Sequence, residues 1–308
     1  MSVLELTFAS QEDSLSVRRF SIREEISGLF EVSVIARSEL EDIDLEAIVG
    51  KGATFKITSG VAHVAAGSRV WTGICSHMEQ VQAETTGLST YALRIVPALW
   101  RTKLRRNNRI FQHLSIPDIV LRVLSEWQIE PEVRVDAGQY PKFEYRVQYN
   151  ETDFAFINRL LEEAGIAYYT LHGESTEQGK PKVSRLVLSD APQANELRSG
   201  GPLPFVDNPN QEAEKEFVTN VRLVQDVRPG RVTLRDFDFR SRPDYQLYLE
   251  SRAGSPTEDA YEHYHYAPGA FLVEPGRAGG TPVADDKGIA RINEKEGQKL
   301  AARTLEGE

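Results

Sequence analysis

The stretch YPKFEYRVQYNETDFAFINRLLEEAGIAYY, residues 140–169, decides the fold of this chain. It reads as strand, helix, glycine stop, strand. The helix starts near residues 150–153, and Phe154, Ile157, Leu160, Leu161 and Ala164 recur at the spacing of one buried helical face. Gly165 follows as the natural left-handed stop. IAYYTL (166–171) and SRLVLSD (184–190) then form a hairpin across the polar loop HGESTEQGKPK. Upstream, LSIPDIVLRVLSEWQI places Ile116, Ile119, Val120, Val123, Leu124 and Trp127 on one face of a second amphipathic helix. Ser115 caps it, Pro117 sits where its missing N–H is harmless, and Asp118 faces the positive end of the dipole.

Both flanks read as β structure. VLELTF, LSVRRFSI, LFEVSVIA and ATFKIT are short and rich in β-branched and aromatic residues, and Phe30, Val32 and Val34 alternate with Glu31 and Ser33. RVWTGICSHMEQVQAE and GLSTYALRIVP follow as two long strands joined around residues 85–87. Many short, closely spaced strands predict a closed barrel or sandwich, which removes exposed sheet edges. After a Gly- and Pro-rich connector at 198–213, β structure is expected to resume at EFVTNVRLVQD (216–226). In RVTLRDFDF, Val232 and Leu234 share one face and Phe237 and Phe239 the other, which predicts a bulge or corner at Arg235–Asp236. YQLYLES and YEHYHYAPGAF continue the β pattern, and residues 292–308 form a polar segment of helix formers. The fold class is therefore α+β, mainly β. The expected division is a first β-barrel domain at 1–97, an α/β insert at 98–195, and a second β-barrel domain at 196–308. Two β regions flanking an α/β region hint at duplication of a domain.

Composition narrows the function. A formal charge of −10 disfavours phosphate-driven nucleic-acid binding, which needs clustered cations. The one basic cluster, Arg101, Lys103, Arg105, Arg106 and Arg109, reads as a solvated face or an inter-subunit ion-pair site. The single cysteine, Cys75, excludes an intrachain disulfide and a cysteine metal cage, and suits a reducing compartment. No apolar run approaches the roughly 20 residues that cross a bilayer, so no stable membrane insertion is expected. The N-terminus lacks the layout of a secretory signal.

Four places, in order, resemble the VgrG proteins of type VI secretion: LRRNNRIFQHLSIPDIVLRVLSE (104–126), the opening stretch, VTLRDFDFRSRP (232–243), and YEHYHYAPGAF (261–271), where Ala-Pro-Gly stands in place of the family's Tyr-Pro-Gly. The resemblance implies two β-barrel domains of phage-baseplate-hub type joined by the α/β insert. It implies a homotrimer that matches a spike to the hexameric Hcp tube, with baseplate components and secreted effectors as further partners. It also implies residence in the cytoplasm followed by export through the apparatus itself. The family continues into an oligonucleotide-binding-type barrel and a β-helical needle, so the chain reads as an N-terminal portion whose second barrel lacks its last strands. A hub of a phage tail or of a phage-derived extracellular injection particle is the near alternative. A wall-degrading enzyme and a sugar-binding β module are alternatives of other classes.

No residue is assigned a catalytic, cofactor or metal role, and no cofactor is expected. Cys75 and His77 share one face of a strand but lack a third orienting group, and His63 nearby reads as incidental. Glu262, His263 and His265 fall short of a metal ligand set. Glu162 and Glu163 diverge on their helix. Asp236 and Asp238 read as the polar face of a strand, and Trp71, Trp100 and Trp127 as packing residues rather than sugar platforms. Tyr145, Tyr149, Phe154 and Phe156 fit a core better than a subunit interface.

Overall fold

The computed structural model describes residues 3–59, 67–84, 87–172, 184–195, 202–207, 217–237, 244, 246–254, 256–269, 271 and 292–307. The chain divides into two compact units. One comprises Met1–Arg101, Ile129–Arg134 and Ala167–Arg222; the other comprises Thr102–Gln128, Val135–Ile166 and Leu223–Glu308.

The first unit is built on a six-stranded antiparallel sheet of β1 (Val3–Phe8), β2 (Ser16–Arg23), β3 (Glu31–Ser38), β4 (Gly52–Ser59), β5 (Gly67–Gln82) and β6 (Ser89–Val96). Its order is β1-β4-β5-β6-β3-β2, and it curls into a half-barrel. The alternation in β3 sends Val32, Val34 and Ala36 inward. They meet Phe30, Phe55, Trp71, Tyr91, Leu93 and Ile95 in one core. A three-stranded sheet completes this unit. In it, β10 (Ala167–Leu171) and β11 (Arg185–Ser189) are antiparallel, as expected, and β8 (Glu132–Arg134) lies parallel to β11.

In the second unit, β7 (Arg106–Leu114) and β9 (Phe143–Thr152) form an antiparallel pair, followed respectively by α1 (Ile116–Glu126) and α2 (Asp153–Ala164). Ser115 and Asp118 close a full capping box on α1. Gly165 ends α2 in the left-handed region at φ 68°. The buried face of α2 contains Phe156, whose ring stacks on Phe111 at 5.5 Å. Phe154, expected inside, is only partly covered, with the Lys103 ammonium 4.7 Å from its ring centroid. Two Phe residues two positions apart cannot share a helical stripe, and the Phe111 contact selects Phe156.

The same unit contains the sheet β13-β12-β14, made of β12 (Arg231–Asp236), β13 (Leu247–Arg252) and β14 (Glu262–Tyr266). Helix α3 (Glu294–Gly307) covers one face, where Val232, Leu234, Leu247, Phe271 and Ala301 are buried. Gly297 is a contact point: a Cβ there would lie 2.2 Å from Leu249 and 2.6 Å from Phe271. The expected bulge at Arg235–Asp236 is absent, because β12 and β13 pair in continuous register from Arg231 to Asp236. Plain alternation suffices: Asp236 turns inward and Phe237 outward. The strand expected at 216–226 does not form among the described residues, where only Val218 makes a bridge, to Phe205. Leu223 is 98% exposed. Its β-rich composition lacks a partner strand, and without a ladder such a segment stays irregular. Phe239, Asp238 and His63 lie outside the described residues.

Candidate functional site

Among the described residues, a dense polar cluster surrounds Asp153, the first residue of α2, whose side chain is fully buried. Oδ1 accepts from Arg109 Nη2 at 2.7 Å and Gln148 Nε2 at 2.9 Å. Oδ2 accepts from Arg105 Nε at 2.7 Å and Trp127 Nε1 at 2.9 Å. A carboxylate has about four lone-pair sites, and all are taken. Gln148, also fully buried, is oriented by accepting from Arg109 Nε at 2.8 Å and donating to the Glu151 carbonyl at 3.1 Å. Glu126 accepts from both arginines, so two cations face two anions. The Asp153 backbone N–H donates to the Arg105 carbonyl at 3.0 Å. Burial alone would push the Asp153 carboxyl up. The hydrogen bonds from Gln148, Trp127 and Arg105, with the Arg109 charge, outweigh it and leave the carboxyl below its ordinary value. A carboxylate so held neither gives nor takes a proton near neutrality. The cluster clasps β7, β9, α1 and α2 together.

This corrects the reading of the basic cluster as a solvated face for two of its members, while Lys103 and Arg106 are exposed as expected. Arg105 and Arg109 are consumed inside the unit, Arg106 donates to the Asn150 carbonyl at 2.9 Å, and Lys103 covers Phe154. Trp127 packs under Arg105 and is also a hydrogen-bond donor. Among the four aromatics expected in the core, Phe156 is buried, whereas Tyr145 and Tyr149 are exposed on the outer face of the β7–β9 pair.

A second cluster sutures the two sheets of the first unit. Glu24 Oε1 lies 2.7 Å from His172 Nε2 and accepts from Trp71 Nε1 at 3.1 Å; Oε2 accepts from Arg69 at 2.9 Å. His172 Nδ1 lies 2.9 Å from Ser184 Oγ, which accepts from the Thr72 N–H at 2.8 Å. The order Ser–His–Glu has the connectivity of an acyl-transfer triad. Here the serine oxygen is tied to β5, and the imidazole packs against Phe30 and Trp71. The arrangement reads as a suture between strands.

Hydrogen bonding from His172 holds the Glu24 carboxyl down to about 2 from 4.5, with Trp71 and Arg69 assisting against burial. A carboxylate lowered in the folded state stabilises the fold above pH 4.5 and loses that contribution as pH falls toward about 2. Glu24→Gln is expected to cost about 1–2 kcal/mol at neutral pH, discounted because the carboxylate is partly exposed. Denaturant titrations at stepped pH should show its gap from the parent closing within that window.

The remaining candidates separate. Cys75 is buried and His77 exposed, because a register shift between them breaks the shared face expected for i and i+2. The Cys75 thiol is pushed up by burial and donates to the His77 carbonyl. The His263 and His265 rings lie 6.1 Å apart, while Glu262 pairs with Arg231 and Thr233. Among the described residues no group of three or more His, Cys, Asp or Glu could hold a metal ion. Glu163 pairs with Arg146. Asp236 is buried, correcting its placement on a polar face: Oδ2 accepts from Gly269 N at 2.9 Å and so holds the Ala267–Pro268–Gly269 turn.

Residues 23–308 match the model of the phage tail baseplate hub (GPD) family. VgrG1a of Pseudomonas aeruginosa, a type VI secretion system spike protein, is 30% identical over 263 residues, covering 84% of this chain and 39% of its own length. VgrG5 of the same organism, also a type VI spike protein, is 34% identical over 262 residues, covering 83% of this chain and 30% of its own length. The chain thus spans less than half the length of these curated relatives. Among solved structures, the E. coli c3393 protein, described as a type VI secretion component similar to T4 bacteriophage tail proteins gp27 and gp5, superposes with a TM-score of 0.54 at 20% identity, covering 67% of this chain and 53% of its own. A chain of the half-lidded Francisella PdpA-VgrG complex gives 0.50 at 9% identity, covering 86% of this chain and 43% of its own. These two show the fold.

Proposed function

This chain belongs to the phage tail baseplate hub family, and from that premise we propose that it is the hub of a type VI secretion spike, a structural adaptor rather than an enzyme. The observation that carries the reading is identity of about 30% to several spike proteins over some five-sixths of the chain. The polar clusters support it, because Asp153 and Glu24 are saturated by structural partners.

In this proposal the chain works as a homotrimer. Its domains follow the division 1–97, 98–195 and 196–308, with barrel-like first and third parts. Three copies with two such parts each make a quasi-sixfold ring. That ring can dock on a hexameric tube without leaving half of the contacts unmade. Export with the apparatus and contact with baseplate components and effectors follow from the same reading. A phage-tail hub is the second reading, favoured by the name of the matched family.

The test is sedimentation of the chain with purified hexameric tube protein. The expected result is a complex of three copies per hexamer. Absence of any complex at tens of micromolar (about ten times an ordinary transient Kd) would overturn the proposal.

A further inference from the structure

The face of β13-β12-β14 opposite α3 divides into two halves. At one end the side chains satisfy one another: Arg231 pairs with Glu262, Thr233 donates to Glu262, and Arg252 pairs with Glu250 and Asp259. At the other end, among the described residues, no side-chain hydrogen bond or ion pair ties the side chains to one another. Arg235 lies directly opposite Tyr248 on one neighbour and Tyr266 on the other, with Tyr264 and Phe237 alongside. Tyr248 and Tyr264 are each 54% exposed, Tyr266 58% and Phe237 63%. Among the described residues, no carboxylate pairs with Arg235. An unpaired guanidinium framed by three tyrosines and a phenylalanine has the composition of an interface centre, where Tyr and Arg are enriched and Lys and Glu depleted. All four residues are more than half exposed, so they are open to the close packing that the centre of an interface requires.

The chain itself carries a complementary surface. Segment 39–46, ELEDIDLE, exposes Glu39, Glu41, Asp42, Asp44 and Glu46, with Leu40 exposed among them. It is a firm ridge. Ile43 is buried beneath it, Tyr91 Oη donates to the Leu40 carbonyl at 2.9 Å, and Gln80 Nε2 donates to the Glu41 carbonyl at 2.6 Å. Such pre-organisation lowers the ordering cost of docking.

We propose that the Tyr248–Arg235–Tyr266 row grips the acidic ridge 39–46 of a second copy of this chain. Arg235 would meet the carboxylates of Glu41 and Asp42, and the tyrosine rings would close over Leu40. The two surfaces differ, so the contact is head-to-tail and closes into a ring when the rotation permits. The proposal rests on the hub reading and names the surfaces through which its copies join.

Sedimentation velocity on the full chain tests it. Arg235→Glu, and separately Glu41→Arg with Asp42→Arg, should each weaken self-association about 30-fold or more. Their combination should restore it. All of these side chains are solvent-exposed in the single chain, so far-UV circular dichroism and Tm should be unchanged. Tyr266→Ala provides a second variant without charge reversal and should weaken association similarly. A parent chain that stays monomeric would overturn the trimer and this contact together. A parent trimer left intact by Arg235→Glu, or single losses without rescue in the combination, would overturn this contact alone and leave the hub reading standing.

Discussion

Asp153→Asn is expected to destabilise the second unit by about 3–5 kcal/mol, the usual result of removing one partner from a buried ion cluster. The amide keeps the shape but changes the chemistry. In the native clasp all four groups reaching the carboxylate are donors: two arginines, an indole N–H and the Gln148 amide. An asparagine NH₂ must point at two of them, donor against donor, and the arginines lose the charge that balances them. Asp153→Ala should be no milder, since it strands the same donors beside a cavity. Equilibrium urea denaturation of the parent and both variants checks this. A loss below 1 kcal/mol for Asp153→Asn would show that the cluster is not cooperative.

Gly73→Ala carries the second large effect. Gly73 lies in β5, where a Cβ would sit 2.0 Å from the Val96 carbonyl oxygen and 2.8 Å from its carbon. The obstacle is backbone at the end of β6, so no side-chain rotation relieves it. One methyl group should therefore cost about 3 kcal/mol or more, the upper end of overpacking penalties. Gly254→Ala is the control, because its Cβ would meet nothing within 4 Å. Thermal unfolding should separate the two by several degrees in Tm. Equal melting points would mean that β5 and β6 can part without loss.

What could be read from the chain, and what could not, divides by range. The alternation in β3, the Ser115 cap and the Gly165 stop are local, governed by neighbours a few positions away, and each appears as expected. The clasp was illegible, although all its members stood in motifs already singled out. Arg105 and Arg109 read as a surface cluster and Asp153 only as the place where a helix starts, and nothing local joins residues so far apart in the chain. Asp236 was misplaced for the same reason, because its partner is the Gly269 amide. Cys75 and His77 failed differently: one register shift cancelled the period-two rule. Among the described residues, 217–226 have strand composition without a strand, since composition supplies only half of a ladder.

The interleaving of the two units bears on how the chain emerges from the ribosome. Strand β8 must wait for β11, its parallel partner at Val187–Ser189, and β11 arrives only after the whole of α2 and β10 has been synthesised. Neither unit can therefore be finished as an early, self-contained step of translation. Folding is expected to be slow and dominated by distant pairings, and a chain released before residue 185 would leave β8 without its neighbour.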